Sequence, residues 1–530
     1  MLTCTPKRLP RSGHAREALR RKGQFWTPDW VADFMAAYVL QDKPDRILDP
    51  AVGEGAFFRA IRRHAQRHNV NPLLFGRDID AKVIAQAQAT GLSPHDLRHV
   101  ELRDFVLDPP TTLFPAIIAN PPYIRHHRLP PSQKQRLREF VCQSTGLTID
   151  ARAGLHVYFL IRALQTLAPK GRLAFIVSAD ICEGVFAPAL WQWICSRYRL
   201  DAVITFAPEA APFPDVDTNA LVLLIRNTSP AQTFIWAKCK ERNSSGLAAL
   251  VTNLSHKQYP GLQVYQRSLG EGLTTGLSRP PSNSISSRYT LSQFASVMRG
   301  IVTGDNDFFF MTSARAQELG IPDALLVTAV GRTRDIIGDQ FTQQDLLRLE
   351  NQNRPTRLLN VNGVPFDRLP KSVQKYLKSG EQKGLPAKTL IRTRNPWYRM
   401  ETRKIPPILF AYLGRRSTRF IRNRAGAVPL TCLLCVYPHQ ASAEFLASLW
   451  AVVSDPETIQ NLKKVGKSYG GGAIKVEPRA LERLPLPDHL VHSTGLAQYL
   501  APQQAEFDFN RHAPWSCAIL PGDDGCIVQG

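Results

Sequence analysis

Within this 530-residue chain, Asn120-Pro121-Pro122-Tyr123 is the stretch whose residue types specify a reaction most narrowly. It follows the apolar run Ala116 to Ala119, which reads as a buried strand. Two consecutive prolines fix φ and remove backbone donors, so the Asn120 amide and the Pro121 carbonyl stand out of a rigid turn. Such a pair of acceptors suits a planar amino group. The lone pair of an exocyclic amine is delocalised into its ring, which makes the nitrogen a poor nucleophile. Hydrogen bonds from its two N–H groups to Asn120 Oδ1 and the Pro121 carbonyl favour a tetrahedral nitrogen as a methyl group arrives. That stabilises the transition state more than the ground state. Tyr123 would stack on the target ring, and a base inside a duplex would have to be flipped out to reach it. Taken alone, the four residues could equally be a stiff turn.

A second constellation lies upstream. Asp49-Pro50-Ala51-Val52-Gly53-Glu54-Gly55 follows the short apolar run Ile47-Leu48 and leads into a helical pattern. Glycines in a strand-to-helix turn permit positive φ and let a ligand approach the backbone. The D-x-x-x-G-x-G spacing differs from a dinucleotide fingerprint and suits the amino-acid end of S-adenosylmethionine better than a pyrophosphate. The next strand ends at Asp78-Ile79, where ribose hydroxyls are held in sheets of this kind. A third ends at Asp104-Phe105, a carboxylate for an exocyclic amine and a ring to cover adenine. Asp104 alone could as well be a turn or cap residue.

These residues need strands to carry them, and the pattern supplies them. Strands are expected at Arg46–Leu48, Leu73–Gly76, Ala116–Ala119, Arg172–Val177, Ala202–Phe206 and Ala220–Ile225. Helices are expected at Ala56–His68, Lys82–Ala89 and Leu155–Leu167. Alternation at this interval argues for βαβ units and a mostly parallel sheet. The Ser-, Gly-, Thr- and Pro-rich residues 268–288 read as a linker. The expected organisation is a basic segment (1–22), a catalytic α/β domain (23–240), a linker region (241–289), an α+β domain (290–490) and a tail (491–530).

Charge separates the two halves. The chain carries 66 Lys+Arg against 44 Asp+Glu, a formal charge of +22. Between Lys371 and Leu430 there are 15 Lys+Arg and only Glu381 and Glu401 as acids, which is 15 − 2 = +13. Tyr376, Trp397, Tyr398, Phe410, Tyr412 and Phe420 interleave with them, a composition that fits a nucleic-acid groove, a solvated basic face being the plainer account. Arg415, Arg416 and Arg419 are the expected phosphate contacts. A composition 44% hydrophobic and 21% charged excludes wholesale disorder. Nine scattered cysteines favour a reducing, cytoplasmic compartment. No apolar run approaches the roughly 18 residues of a membrane span. Cys432 and Cys435 have metal-like spacing but apolar neighbours, so they read as buried strand and no metal site is expected. His64 and His68 read as a solvated face, and Trp191 and Trp193 as core and rim.

In the order of these motifs the chain resembles bacterial adenine-N6 DNA methyltransferases of restriction–modification systems, of the gamma class, across most of residues 20–485. The resemblance implies a Rossmann-like S-adenosylmethionine-dependent methyltransferase sheet with helices on both faces, followed by an α+β target-recognition domain that holds double-stranded DNA. It implies that Gly23 to Pro28, with Phe25 and Thr27, closes over the methionine moiety. It further implies cofactor contacts from Asp49, Ala51, Gly53, Gly55, Asp78, Ile79, Asp104 and Phe105, with catalysis by Asn120, Pro121 and Tyr123. Phe213 falls where a second aromatic meets the flipped base, with Phe206 the alternative. Gly300 to Phe308 resembles the opening of the recognition domain and Ser468 to Gly472 its closing motif. A cognate nuclease would be a separate chain, and one catalytic and one recognition region are compatible with a monomer. The same tetrapeptide also serves RNA adenine, cytosine N4 and protein glutamine, and a non-catalytic DNA-binding protein is the rival of a different class.

Overall fold

The computed structural model describes Gly23 and residues 25–213, 219–242, 245–281, 287–412, 418–469 and 473–500. Short apolar runs separated by amphipathic helices give the first half one nine-stranded sheet. Its strands are β1 (Arg46–Asp49), β2 (Leu73–Asp78), β3 (Val100–Leu102), β4 (Phe114–Ala119), β5 (Leu167–Ser178), β6 (Arg199–Phe206), β7 (Ala220–Arg226), β8 (Thr233–Cys239) and β9 (Leu262–Ser268). The order is β3-β2-β1-β4-β5-β7-β6-β8-β9. Strands β1 to β5 are parallel, and β7 runs antiparallel between β5 and β6.

Successive residues on each strand face opposite layers. Ile47, Ile118, Ala174 and Val222 pack with the helices Asp29–Val39 and Ala56–His68. Leu48, Ile117, Phe175 and Leu223 pack with the helices Leu155–Thr166 and Ala187–Cys195. Both faces are covered, so the central strands read as continuous apolar runs. Trp191 and Trp193 are both buried in the second layer, so neither is a rim residue. The chain order reverses between β1 and β4, and such a switch point leaves a crevice at the strands' C-terminal ends. Asp49 ends β1, and Asn120 directly follows β4.

The segment expected to be a linker is structured through residue 281. A helix spans Ser245–Asn253, β9 pairs with β8 along its whole length, and Leu269–Thr275 is helical. The reason is Arg267, a fully buried side chain. Its guanidinium is saturated by Glu271 at 2.7 and 2.8 Å, Thr275 at 2.7 Å and the Gly276 carbonyl at 3.1 Å. A Cβ on Gly272 would sit 2.7 Å from the Phe234 ring, so glycine there serves packing and not looseness. Arg279 then donates to the Lys464 carbonyl and, at 3.1 Å, to that of Gly466, where the helix Pro456–Val465 of the second half ends. A cation at exposed helix C-terminal carbonyls is favoured.

The second half is α+β. Ala295–Arg299, Leu434–Pro438, Ile408–Ala411, Arg419–Asn423 and Gln340–Phe341 form a five-stranded sheet in that order. Phe310–Met311, Arg357–Leu359, Leu326–Val330 and Val428–Pro429 form a four-stranded one. The expected tail begins later than residue 491, because Val491 and Leu496 are fully buried in this half's core. Cys435 lies on a strand and Cys432 in the turn before it, its thiol facing the Gly331 carbonyl at 3.0 Å. No group of three or more His, Cys, Asp or Glu among the described residues could hold a metal ion. No described helix is long and apolar enough to cross a membrane.

Candidate active site

Gly23, Phe25 and Thr27 lie across the tetrapeptide. Tyr123 N–H donates to the Gly23 carbonyl at 3.1 Å, and a Cβ on Gly23, whose φ is +62°, would sit 2.7 Å from that nitrogen. Asn120 Nδ2 donates to the Phe25 carbonyl at 2.9 Å and to Thr27 Oγ1 at 3.1 Å. A carbonyl can only accept, so these contacts fix which end of the amide is which. Asn120 Oδ1 is left buried without a partner. An unpaired buried acceptor is costly and asks for a function.

Tyr123 projects among rings. Phe25 lies 5.1 Å away and Phe213 6.3 Å away, centroid to centroid. Phe206 instead packs edge-on against Trp30 at 5.7 Å. The structure therefore brings Phe213, not Phe206, to the tetrapeptide. The Tyr123 hydroxyl donates to the Ile176 carbonyl on β5 at 3.2 Å. Burial, with the nearby Asp180 adding to it, pushes the phenol well above its ordinary pKa and keeps it neutral.

On the other side of the crevice, Asp49 is fully buried. Its Oδ1 accepts from Ala51 N–H at 3.0 Å and its Oδ2 has no partner. Burial pushes this carboxyl up to about 8, the Ala51 hydrogen bond opposing the rise and the Asp78 charge adding to it. Asp78 takes the N–H groups of Gly53 at 3.0 Å and Asp80 at 2.9 Å, one on each oxygen. A carboxylate has about four acceptor positions, so two remain for a ligand. Ile79 beside it is 79% exposed, an apolar surface left bare.

The two loop glycines do different work. Gly53, with φ +52°, faces open space, where a Cβ would meet only the Ala51 carbonyl at 3.9 Å. At Gly55, φ +74°, a Cβ would strike Leu92 at 2.3 Å. Gly55 thus serves the packing of the Ala56 helix against Leu92. Phe105 is also displaced from its expected part. Its ring is 2% exposed and packs on Phe159 at 5.5 Å, because the residue turns inward after β3. Asp104 Oδ1 caps the turn through Val106 and Leu107 N–H at 2.9 and 3.0 Å. What this corner offers a ligand is the second Asp104 oxygen.

Among the DNA contacts expected from the basic cluster, Arg415 and Arg416 lie outside the described residues. Arg419 is spent on the fold: Nε donates to the Gly338 carbonyl at 2.7 Å and Nη2 to that of Ile336 at 2.9 Å. Two residues that sequence reading missed stand behind Tyr123. His156 Nε2 lies 3.2 Å from Asp180 Oδ1, and the His156 ring meets Tyr123 at 6.2 Å. The available signal was a histidine opening an otherwise apolar helix.

Comparison with known proteins supplies the family. Residues 12–238 match the model of the N-6 DNA methylases, and residues 283–506 match that of the C-terminal domain of the Type II methyltransferase M.Eco57I. Over its first half the chain is thus similar to the N-6 DNA methylases. The methylase is 27% identical over 483 residues to the Type II methyltransferase M.AccI of Acinetobacter calcoaceticus, covering 88% of this chain and 85% of that one. It is 26% identical over 477 residues to M.XamI of Xanthomonas campestris pv. amaranthicola, with the same two shares. In fold it resembles the Type IIL restriction–modification enzyme MmeI solved in complex with DNA, at a TM-score of 0.55 and 12% identity. That match covers 88% of this chain and 64% of the longer one. The methylase is accordingly a DNA methyltransferase of a restriction–modification system, and its cofactor is S-adenosylmethionine.

Proposed function

We propose that the methylase transfers a methyl group to the N6 amino group of an adenine flipped out of a specific duplex sequence. The observation that carries this reading is the Asn120 amide, anchored through Nδ2 and presenting a buried, unpaired Oδ1. Bound S-adenosylmethionine supplies the methyl electrophile. Asn120 Oδ1 accepts one N–H of the amine and the Pro121 carbonyl the other, drawing the nitrogen lone pair out of conjugation. The Asn120 acceptor is held in place by its Nδ2 bonds before a base arrives, so it need not reorganise during the reaction. Tyr123 stacks on the extrahelical ring, with Phe213 beside it.

The opposite wall fits the cofactor's chemistry. The orphaned Asp49 oxygen suits a cationic group, and Asp78 has acceptor positions left for ribose hydroxyls. Ile79 offers an apolar surface to adenine and Asp104 an acceptor for its amine, while Phe25 and Thr27 close the methionine end. The second half is read as the target-recognition domain, with Arg415 and Arg416 against phosphates. Incubating the protein with methyl-labelled cofactor and mixed-sequence DNA tests this: label is expected in N6-methyladenine. Label in N4-methylcytosine, or none from a protein that binds the cofactor, overturns it.

A further inference from the structure

Tyr123 is held at both ends of its own long axis. Its N–H is tied to Gly23 and its hydroxyl to Ile176. A hydroxyl bond lies on the axis about which a phenol ring turns, so it fixes the ring's reach and leaves its plane free. That torsion is intrinsically broad. Stacking on a base requires one plane, and the plane must be set by whatever stands against the ring's flank.

His156 stands there. Its ring meets Tyr123 edge-on at 70°, a third neighbour beside the rings of Phe25 and Phe213. His156 is 4% exposed, a cost that an apolar filler would avoid, and both ring nitrogens are buried without a hydrogen bond. Three features fix its own orientation. Nε2 lies within ion-pair distance of Asp180 Oδ1, at 3.2 Å and outside hydrogen-bond geometry, on a different element, the short helix Asp180–Glu183 after β5. A Cβ on Gly154 would sit 2.8 Å from Cε1, so the ring fills the space that glycine leaves. Leu155 N–H donates to the Ile124 carbonyl at 2.9 Å, tying the start of the helix to the residue after Tyr123.

We propose that His156, anchored by Asp180, is a positioning residue that sets the plane of the Tyr123 ring for stacking on the extrahelical base. The inference rests on the base-stacking part of the proposed function. Asp180 faces His156 from an element of its own, with its side chain 52% exposed.

The test uses the full chain and a duplex carrying 2-aminopurine at the adenine found methylated in DNA from an expressing host. Extrahelical 2-aminopurine brightens, and stacking on an aromatic ring quenches part of that gain. Wild-type protein should give partial brightening and Tyr123→Ala a brighter complex. His156→Ala should move the emission toward the Tyr123→Ala value and lower kcat/KM on the order of 10-fold, with cofactor affinity unchanged. Asp180→Ala, at a half-exposed position, should shift emission the same way by less and leave Tm near wild type. It decides the matter if His156→Ala fails to fold. Wild-type emission and kcat/KM in both variants, or a loss of Tm and cofactor affinity without a change in emission, overturns the positioning role alone. No brightening with wild-type protein that still methylates adenine overturns the stacking reading as well, and shows it in a different arm.

Discussion

Asn120 Nδ2 donates to the Phe25 carbonyl at 2.9 Å, and that bond decides which end of the amide is left unpaired, the end proposed to meet the base. Phe25 and Thr27, proposed to close the cofactor end of the crevice, thereby also set the polarity of the acceptor. Thr27 Oγ1 adds the second anchor at 3.1 Å. Thr27→Val should keep the shape and lose that bond, lowering kcat by roughly 10-fold, the equivalent of about 1.4 kcal/mol. Asn120→Ala should cost on the order of 10²–10³ in kcat, as loss of one preorganised hydrogen-bonding group does. Steady-state methylation with a separate cofactor titration distinguishes both from a binding defect.

Gly55→Ala should be a stability variant. The added Cβ meets Leu92 at 2.3 Å and the backbone holds φ +74°, so a loss of about 1–3 kcal/mol is expected. Leu92→Ala in the same chain should recover part of it by making room. Gly53→Ala has open space around it and should act mainly on cofactor affinity, with roughly 1 kcal/mol of backbone strain. Thermal denaturation beside cofactor titration separates the two glycines.

The Asp49 carboxyl, raised by burial to about 8, is protonated at neutral pH before cofactor binds. A cation placed against its unpaired oxygen lowers that pKa and expels the proton. Cofactor affinity should therefore rise with pH and level off above about 8, with proton release on binding below that pH. Calorimetry in buffers of different ionisation enthalpy reads the proton directly. The linked effect on the free protein has the opposite sense: a raised folded-state pKa is a stability advantage that is whole below about pH 4 and is lost as pH climbs to about 8. Asp49→Asn should remove both dependences and weaken cofactor binding.

Arg419→Ala should lower the unfolding free energy by about 1–3 kcal/mol, because two carbonyls are left without their donor, and leave the salt dependence of DNA binding unchanged. Neutralising Arg415 and Arg416 should instead reduce the slope of log affinity against log salt, by about 1 for each phosphate that no longer meets a cation. Filter binding across a salt series, with denaturation curves alongside, checks the division.

The catalytic half was largely legible because its elements are periodic and its motifs sit at strand ends. The helix Ala56–His68 has the bounds read from the sequence, and β1, β2, β4, β6 and β7 fall within a few residues of theirs. What sequence could not show is where a side chain turns. Phe105 and Gly55 lie in motifs expected to hold the cofactor, yet one ring packs on Phe159 and the other residue makes room for Leu92. Arg419 counts as surface charge in the sequence, and only its two carbonyl partners reveal it as part of the fold. The segment after Ser268 has a linker's composition, and only the buried guanidinium of Arg267 explains why Leu269–Thr275 is helical. His156 escaped notice because its meaning lies in Tyr123 and Asp180, neither of them near it in sequence.

Under the proposed function, Asn120 directs methylation to adenine N6 at one duplex sequence. Single-molecule sequencing of DNA from a host expressing wild-type protein or Asn120→Ala tests it most directly. N6-methyladenine should appear at a single motif with wild type and vanish with the variant. N4-methylcytosine at that motif, no modified base with the folded wild-type protein, or N6-methyladenine persisting with Asn120→Ala would contradict it.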